Sequence, residues 1–98
     1  MSLTVVIARN VADRFHGFLG SVMLEVGIGI YVSPHMSKGV RERALAVLGD
    51  WHAHLREGSI VVVWRDTKRP GGLAFVHFGE PMREIVDLEG FLVVRRTF

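Results

Sequence analysis

Short hydrophobic runs rich in β-branched residues recur along the chain, a pattern typical of strands. A proline at position 34 is expected to end the second run, because proline has no N–H for a strand ladder. The last two runs flank a tight turn at residues 88–90, which predicts a terminal hairpin. The predicted strands span residues 4–8, 28–32, 59–65, 73–78, 84–87 and 91–95.

Two longer segments carry apolar residues at helical spacing, which predicts two amphipathic helices. Asn10 is expected to cap the first helix, whose apolar positions continue to Val26. Ser37 is expected to cap the second helix, which ends before Gly58. The order of elements is then β-α-β-α-β-β followed by the hairpin. We therefore predict an α+β, split β-α-β plan with both helices on one face of the sheet.

Two predicted strands, TVVIA at 4–8 and SIVVVWR at 59–65, lack the apolar–polar alternation of a sheet with one solvated face. Such strands are covered on both sides, whereas two helices cover only one face. A mean hydropathy of +0.30 also indicates apolar surface that a partner covers. We therefore expect the second face to pack against another copy of the chain, as an isologous homodimer through the sheets.

The composition of the 98 residues narrows the class of protein. The length fits one domain, and 49% hydrophobic with 22% charged residues is typical of a globular chain. The sequence has no cysteine, which excludes disulfides and thiolate zinc sites. Its apolar runs fall short of the roughly 18 residues of a membrane helix, and its first ten residues lack a basic n-region. We therefore expect a cytoplasmic protein with no membrane partner.

Arginine supplies ten of the twelve basic residues, although the formal net charge is only +2. The guanidinium fork matches phosphate geometry, so this bias favours an anionic polymer as ligand. Basic candidates occur near the start of the first helix, in the loop between residues 65 and 73, and after Pro81. The alternative interpretation of each of these residues is a solvated surface charge that contacts no ligand. The candidates are Arg14, His16, Arg65, Lys68, Arg69 and Arg83.

Catalytic groups are poorly represented in the pattern. Metal-dependent phosphodiester hydrolysis usually needs carboxylates at a strand end, and the first strand ends at Arg9 and Asn10. Asp13, in the first turn of the helix, is the alternative catalytic candidate. His52 and His54 lie on roughly opposite sides of one helix, so they do not chelate one metal as an i, i+4 pair could. The spacing therefore predicts no metal site and no confident catalytic residue.

Several segments carry a family resemblance that extends across essentially the whole chain. They read MSLTVVIARNV, MLEVGIGIYVS, MSKGVRE, and GLAFVHFGEP followed by IVDLEGFLVVRR. By these motifs and their spacing, the chain resembles the CRISPR-associated (Cas) protein two family, type I-E subgroup. The resemblance implies a ferredoxin-like domain at residues 1–83 with a C-terminal hairpin and tail at 84–98. It also implies homodimers whose sheets face each other.

The same resemblance implies a role in antiviral defence. Type I-E members bridge two dimers of the CRISPR integrase subunit, and the assembly inserts a short double-stranded DNA as a new spacer. Arg14 and Arg83 match positions that touch duplex phosphates, while His16 and Met82 stand where close relatives tend to carry arginine. The hairpin matches the segment that docks on the integrase. Its candidate docking residues are Val86, Leu88, Leu92, Val93 and Val94.

The resemblance also implies Mg²⁺-dependent endonuclease activity, with an acid at the end of the first strand as metal ligand. Arg9 stands at that position, and a guanidinium repels Mg²⁺ instead of binding it. Our leading hypothesis is a non-catalytic, DNA-binding scaffold for spacer acquisition, for which no cofactor is expected. The alternative is a metal-dependent endonuclease acting on RNA or duplex DNA through Asp13 or an acid of the second copy. A ligand-sensing module is a third possibility, without a recognisable polar pocket in the pattern.

Overall fold

The fold is an antiparallel sheet with two helices and a separate hairpin. The computed structural model describes residues 2–79 and 84–95. Its elements in chain order are β1 (Ser2–Arg9), α1 (Asp13–Val22), β2 (Leu24–Gly27), β3 (Ile30–Met36), α2 (Lys38–Leu55), β4 (Ser59–Arg65), a 3-10 turn (Pro70–Gly72), β5 (Leu73–Phe78), β6 (Ile85–Leu88) and β7 (Phe91–Val94). The sheet has the order β2-β3-β1-β4-β5, and β6 pairs with β7. The prediction of an α+β fold with a C-terminal hairpin is confirmed, and the interleaved order is that of a split β-α-β sheet.

The first helix begins later than the sequence predicts. Asn10 adopts a left-handed backbone conformation with φ of 56°, which asparagine tolerates better than most residues. It therefore turns the chain between β1 and α1 and does not cap the helix. Ala12 is the N-cap residue, without a side-chain cap, and its carbonyl accepts the Phe15 N–H at 3.0 Å. The prediction of an Asn10 cap is wrong.

The same helix also ends earlier than predicted, because a short strand follows it. The Met23 N–H donates to the Leu19 carbonyl at 2.8 Å and closes the last turn. The chain then enters β2, in which Leu24 pairs with Val32 of β3. Val26 therefore belongs to a strand, although its spacing continues the helical stripe. The predicted order of elements lacked this strand.

β3 passes through the proline that was expected to end it. Ser2 pairs with Met36 and Thr4 with Ser33, so β3 has one more residue than β1 between these two pairs. This extra residue is a β-bulge, and bulges accommodate proline because the ladder is interrupted there. Pro34 lies within the bulged segment, so the prediction that it breaks the strand is wrong.

The second helix and the strand after it follow the sequence closely. The Ser37 hydroxyl accepts the Val40 N–H at 3.2 Å, which confirms the predicted cap. Arg56 closes the helix in the left-handed conformation, with φ of 50°. Gly58, with φ of +73°, then passes so close to the carbonyls of Arg9 and Asn10 that a Cβ would clash with them. The α2–β4 connection thus lies against the β1–α1 connection.

The core lies between the two helices and one face of the sheet. Phe15 and Leu19 of α1 are fully buried, and Leu48 of α2 is 1% exposed. The Trp51 ring meets the rings of Phe15 and Phe18 edge-on, with centroids 5.6 and 5.5 Å away. Both helices therefore pack on the same face, as predicted. The strand residues that complete the core are Val6, Ala8, Tyr31, Met36, Ile60, Val62, Trp64 and Ala74.

None of the helices within residues 2–79 and 84–95 is long and apolar enough to cross a membrane.

Candidate nucleic-acid and protein interfaces

Arg14 is exposed on the first turns of α1 and is held against α2. Its guanidinium carbon lies 4.2 Å from the centroid of the Trp51 ring, which is a cation–π contact. The ring covers one face of the guanidinium, and the side chain as a whole remains accessible to solvent. A phosphate oxygen can therefore approach a cation whose orientation is already restricted.

His16 is directed into the fold more than Arg14 is. Its Nδ1 lies 2.7 Å from the hydroxyl oxygen of Tyr31, which is 1% exposed. Glu25 stands opposite Tyr31 in the β2–β3 ladder. Burial of the phenol, followed by the hydrogen bond and negative charge of Glu25, raises the pKa of Tyr31 to about 12. His16, a predicted duplex contact, therefore has one ring nitrogen hydrogen-bonded to the Tyr31 hydroxyl, which stays protonated at neutral pH.

The other predicted DNA-binding residues lie at the opposite end of the sheet. Arg65 and Lys68 border a cleft of about 440 Å³ that also contacts Ser2, the first residue of β1. Arg69 is partly neutralised by Asp66, with 3.8 Å between its Nε and the Asp66 Oδ2. β1 runs between these two ends of the sheet and spans about 23 Å at about 3.3 Å per residue, so the two groups of basic residues lie apart. They do not form one patch. Arg83 lies outside the described residues.

The end of β1 carries no acidic cluster. Arg9, Asn10, Gly58 and Ser59 surround a small polar pocket of about 270 Å³, and none of them is a carboxylate. Asp13 is exposed in the first turn of α1. Within the described ranges, no three His, Asp or Glu side chains come together as a metal site would require. Mg²⁺ prefers several oxygen ligands, so the donor set at this strand end does not fit the metal that the resemblance implies.

The face of the sheet opposite the helices is apolar and uncovered by either helix. Two cross-strand rows run over it, with Val5 and Ile7 of β1 in their centres. Ile7 is 37% exposed, and Leu3, which lies beyond Val5 at the start of β1, is 51% exposed. We call this surface the open face. Its rows consist of Val32, Val5, Val63 and Phe75, and of Ile30, Ile7, Val61 and His77, with Leu3 and Leu73 beyond them.

The hairpin divides its predicted docking residues between two faces. Leu92 packs against Gly71 in the 3-10 turn, so it attaches the hairpin to the sheet domain. Val94 pairs with Ile85 and lies on the same face as Leu92. The remaining predicted residues lie on the other face together with Phe91, which is 75% exposed. This outer stripe consists of Val86, Leu88, Phe91 and Val93. Sequence reasoning missed Phe91, although its position directly after the Gly90 turn was a signal of exposure.

The fold and these surfaces define a small ferredoxin-like protein with an uncovered apolar face and basic groups at both ends of its sheet. Compared with models of protein families, residues 3–93 match the family described as CRISPR-associated protein (Cas_Cas2CT1978). The match begins at the second residue of β1 and ends at Val93, one residue before the end of β7. The chain therefore belongs to this family and is a Cas2-like CRISPR-associated protein.

Proposed function

We propose that this protein is a non-catalytic, DNA-binding scaffold of the type I-E complex that acquires CRISPR spacers. In this proposal residues 1–83 form a homodimer through the open face, and residues 84–98 dock on the integrase subunit. Family membership supports the CRISPR role. The observation that carries the scaffold function is the open face, because an apolar sheet surface of this size requires a partner.

A second copy of the chain is the partner that fits the open face best. Five strands about 4.8 Å apart and about six residues long make a surface of roughly 24 by 20 Å. Two such surfaces bury on the order of 1,000 Å² in total, which is near the lower bound for a specific interface. Because the two contributing faces are identical and largely apolar, a two-fold axis brings apolar surface against apolar surface.

The basic groups support the capture of duplex DNA. Arg14 lies near one end of β1 and the cations of the β4–β5 loop lie near the other, so a duplex that contacts both groups extends along the length of the sheet. Two-fold symmetry duplicates every one of these groups along the dimer. Contacts of this kind bind phosphates and give affinity without reading sequence.

The outer stripe of the hairpin is the proposed surface for the integrase subunit. Phe91 and Leu88 are 75% and 56% exposed, and they lie side by side in the β6–β7 ladder. Aromatic and aliphatic side chains at a turn are suitable anchors for a partner pocket. Leu92 has the different role of attaching the hairpin to Gly71.

An integration assay tests the scaffold function directly. The cognate integrase subunit and a short DNA duplex are incubated with a CRISPR repeat target, with and without this protein. We expect insertion only when the protein is present, and reduced insertion with Arg14→Ala because a phosphate contact is lost. Arg43→Ala, which removes another exposed cation of the helix layer, is the control. Equal insertion without the protein would refute the proposal.

The endonuclease alternative is tested with the same preparation. Purified protein is incubated with Mg²⁺ or Mn²⁺ and labelled RNA or duplex DNA. Because no carboxylate lines the pocket at Arg9, we expect no metal-dependent cleavage. Cleavage that is abolished by Asp13→Ala would favour the endonuclease, because a contaminating nuclease does not respond to this substitution.

A further inference from the structure

A basic cleft is formed by three segments that are far apart in the sequence. It lies between the start of α2, the start of β1 and the β4–β5 loop, and its volume is about 440 Å³. Lys38 and Arg41 enter it from α2 and were not among the sequence candidates. The residues that border this basic cleft are Ser2, Lys38, Arg41, Trp64, Arg65, Asp66, Thr67 and Lys68.

Positive charge is in excess around the basic cleft. Its carboxylate, Asp66, is engaged within its own loop, where it accepts the Lys68 N–H at 3.0 Å and lies near Arg69. Lys38 lies 3.9 Å from Glu42, but both side chains are largely exposed, so this pair is weak. Within residues 2–79 and 84–95, Arg41, Arg65 and Lys68 form no ion pair. The cleft therefore attracts anions.

Arg41 is held in a defined orientation at the wall of the basic cleft. Its guanidinium carbon lies 4.6 Å from the centroid of the Trp64 ring, and one terminal nitrogen donates to the Ser2 hydroxyl at 3.5 Å. Trp64 is 91% buried, yet in the described part of the chain its Nε1–H has no hydrogen-bond acceptor. The Trp64 ring is part of the wall of the basic cleft, so its indole N–H resonance is sensitive to a ligand bound there.

We propose that the basic cleft binds a backbone phosphate of nucleic acid, with Lys38, Arg41, Arg65 and Lys68 as the binding groups. The inference rests on the proposed DNA-scaffold function and adds Lys38 and Arg41 of α2 to the contact point at the β4–β5 loop, at the other end of the sheet from Arg14. A linear polyanion reaches both points at once, which favours nucleic acid over a compact anion. Arg41 supplies an oriented fork, and the two lysines supply mobile point charges.

Nuclear magnetic resonance of the indole N–H groups tests occupancy of the cleft. The chain has two tryptophans, so Trp64→Phe assigns the two indole signals. We expect inorganic phosphate and a short DNA duplex to shift the Trp64 signal, and Lys38→Gln with Lys68→Gln to abolish the phosphate-induced shift. A Trp64 signal that responds to neither probe would overturn the proposal. A Trp64 signal that responds to poly-glutamate at lower concentration than to duplex would overturn it in favour of an acidic peptide.

The salt dependence of duplex binding tests the contact itself. Lys38→Gln and Lys68→Gln are each expected to reduce the slope of log K against log salt by about 0.9. Arg43→Gln is the control, since it removes an exposed charge of α2 two residues beyond Arg41, on another side of the helix. Equal effects of Lys38→Gln and Arg43→Gln would show that only total charge matters. If the native chain binds no duplex, the proposed function itself fails. If it binds duplex and the two lysine variants keep the native slope, only the cleft is refuted.

Discussion

The two faces of the sheet carry similar side chains but differ in what covers them. On the helix side Val6 and Val62 are 3% and 2% exposed, whereas Ile7, the next residue along β1, is 37% exposed on the open face. The helices thus cover only half of the apolar sheet surface. A strand without apolar–polar alternation is apolar on both of its faces, and each apolar face needs a layer that covers it. In this chain the two helices supply that layer for one face of the sheet only.

The strongest expected effect lies on the helix side. Phe15→Ala removes a fully buried ring that packs against Trp51, and it is expected to lower the free energy of unfolding by about 3–5 kcal/mol. Urea unfolding followed by circular dichroism measures the loss. Ile7→Ala, examined at concentrations too low for association, is the comparison and is expected to cost about 1 kcal/mol. Equal losses would remove the distinction between the two faces.

On the open face the expected effect is on association and not on folding. Ile7→Glu brings two carboxylates into the proposed dimer interface, and this is expected to weaken dimerisation at least about a hundredfold, or about 3 kcal/mol. Light scattering after size exclusion measures the mass, and circular dichroism verifies the fold. Ala46→Glu on the exposed side of α2 is the matched control and is expected to leave the dimer intact. A native protein that is monomeric at micromolar concentration would contradict the dimer.

A smaller effect concerns the polar group buried on the helix side. The pKa of Tyr31 is raised from 10.0 to about 12, so the folded state binds this proton more tightly than the unfolded state does. The resulting stability, on the order of 2–3 kcal/mol, is therefore complete below pH 10 and is lost as the pH rises to about 12. Since Tyr31 is the only tyrosine, absorbance of the phenolate reports it alone.

The control for this prediction is Tyr31→Phe. The variant is expected to lose less stability than the native protein between pH 10 and pH 12, because it lacks the phenol whose proton the folded state binds more tightly. A phenolate midpoint near 10 in the folded protein would contradict the buried position of Tyr31.

Much of the fold follows from local sequence. The pattern of β-branched residues predicted β4 and β5 with the bounds that the structure has, and Ser37 was a correct cap. β2 was missed because Met23 and Val26 continue the helical spacing, and only pairing with β3 reveals a strand. Pairing with the neighbouring strand β3 overrides the local helical pattern of these residues.

The surfaces were predicted less completely, for a tertiary reason. The sequence identified Arg65 and Lys68 as one basic loop but gave no reason to group them with Lys38 and Arg41, which are more than twenty residues away. Only the antiparallel sheet brings the α2 N-terminus beside that loop. The open face, in contrast, was predicted, because alternation is a property of each strand alone.

The contact of Gly58 with Arg9 and Asn10 has a consequence for how the molecule tolerates change. Both its positive φ and the two adjacent carbonyls exclude a side chain at this position. The β1–α1 and α2–β4 connections are therefore packed rigidly against each other. A substitution at this contact is expected to displace the start of α1 and the end of α2 together. We therefore expect evolutionary substitutions to be rare at Gly58 and to accumulate on the solvent-exposed side of α2.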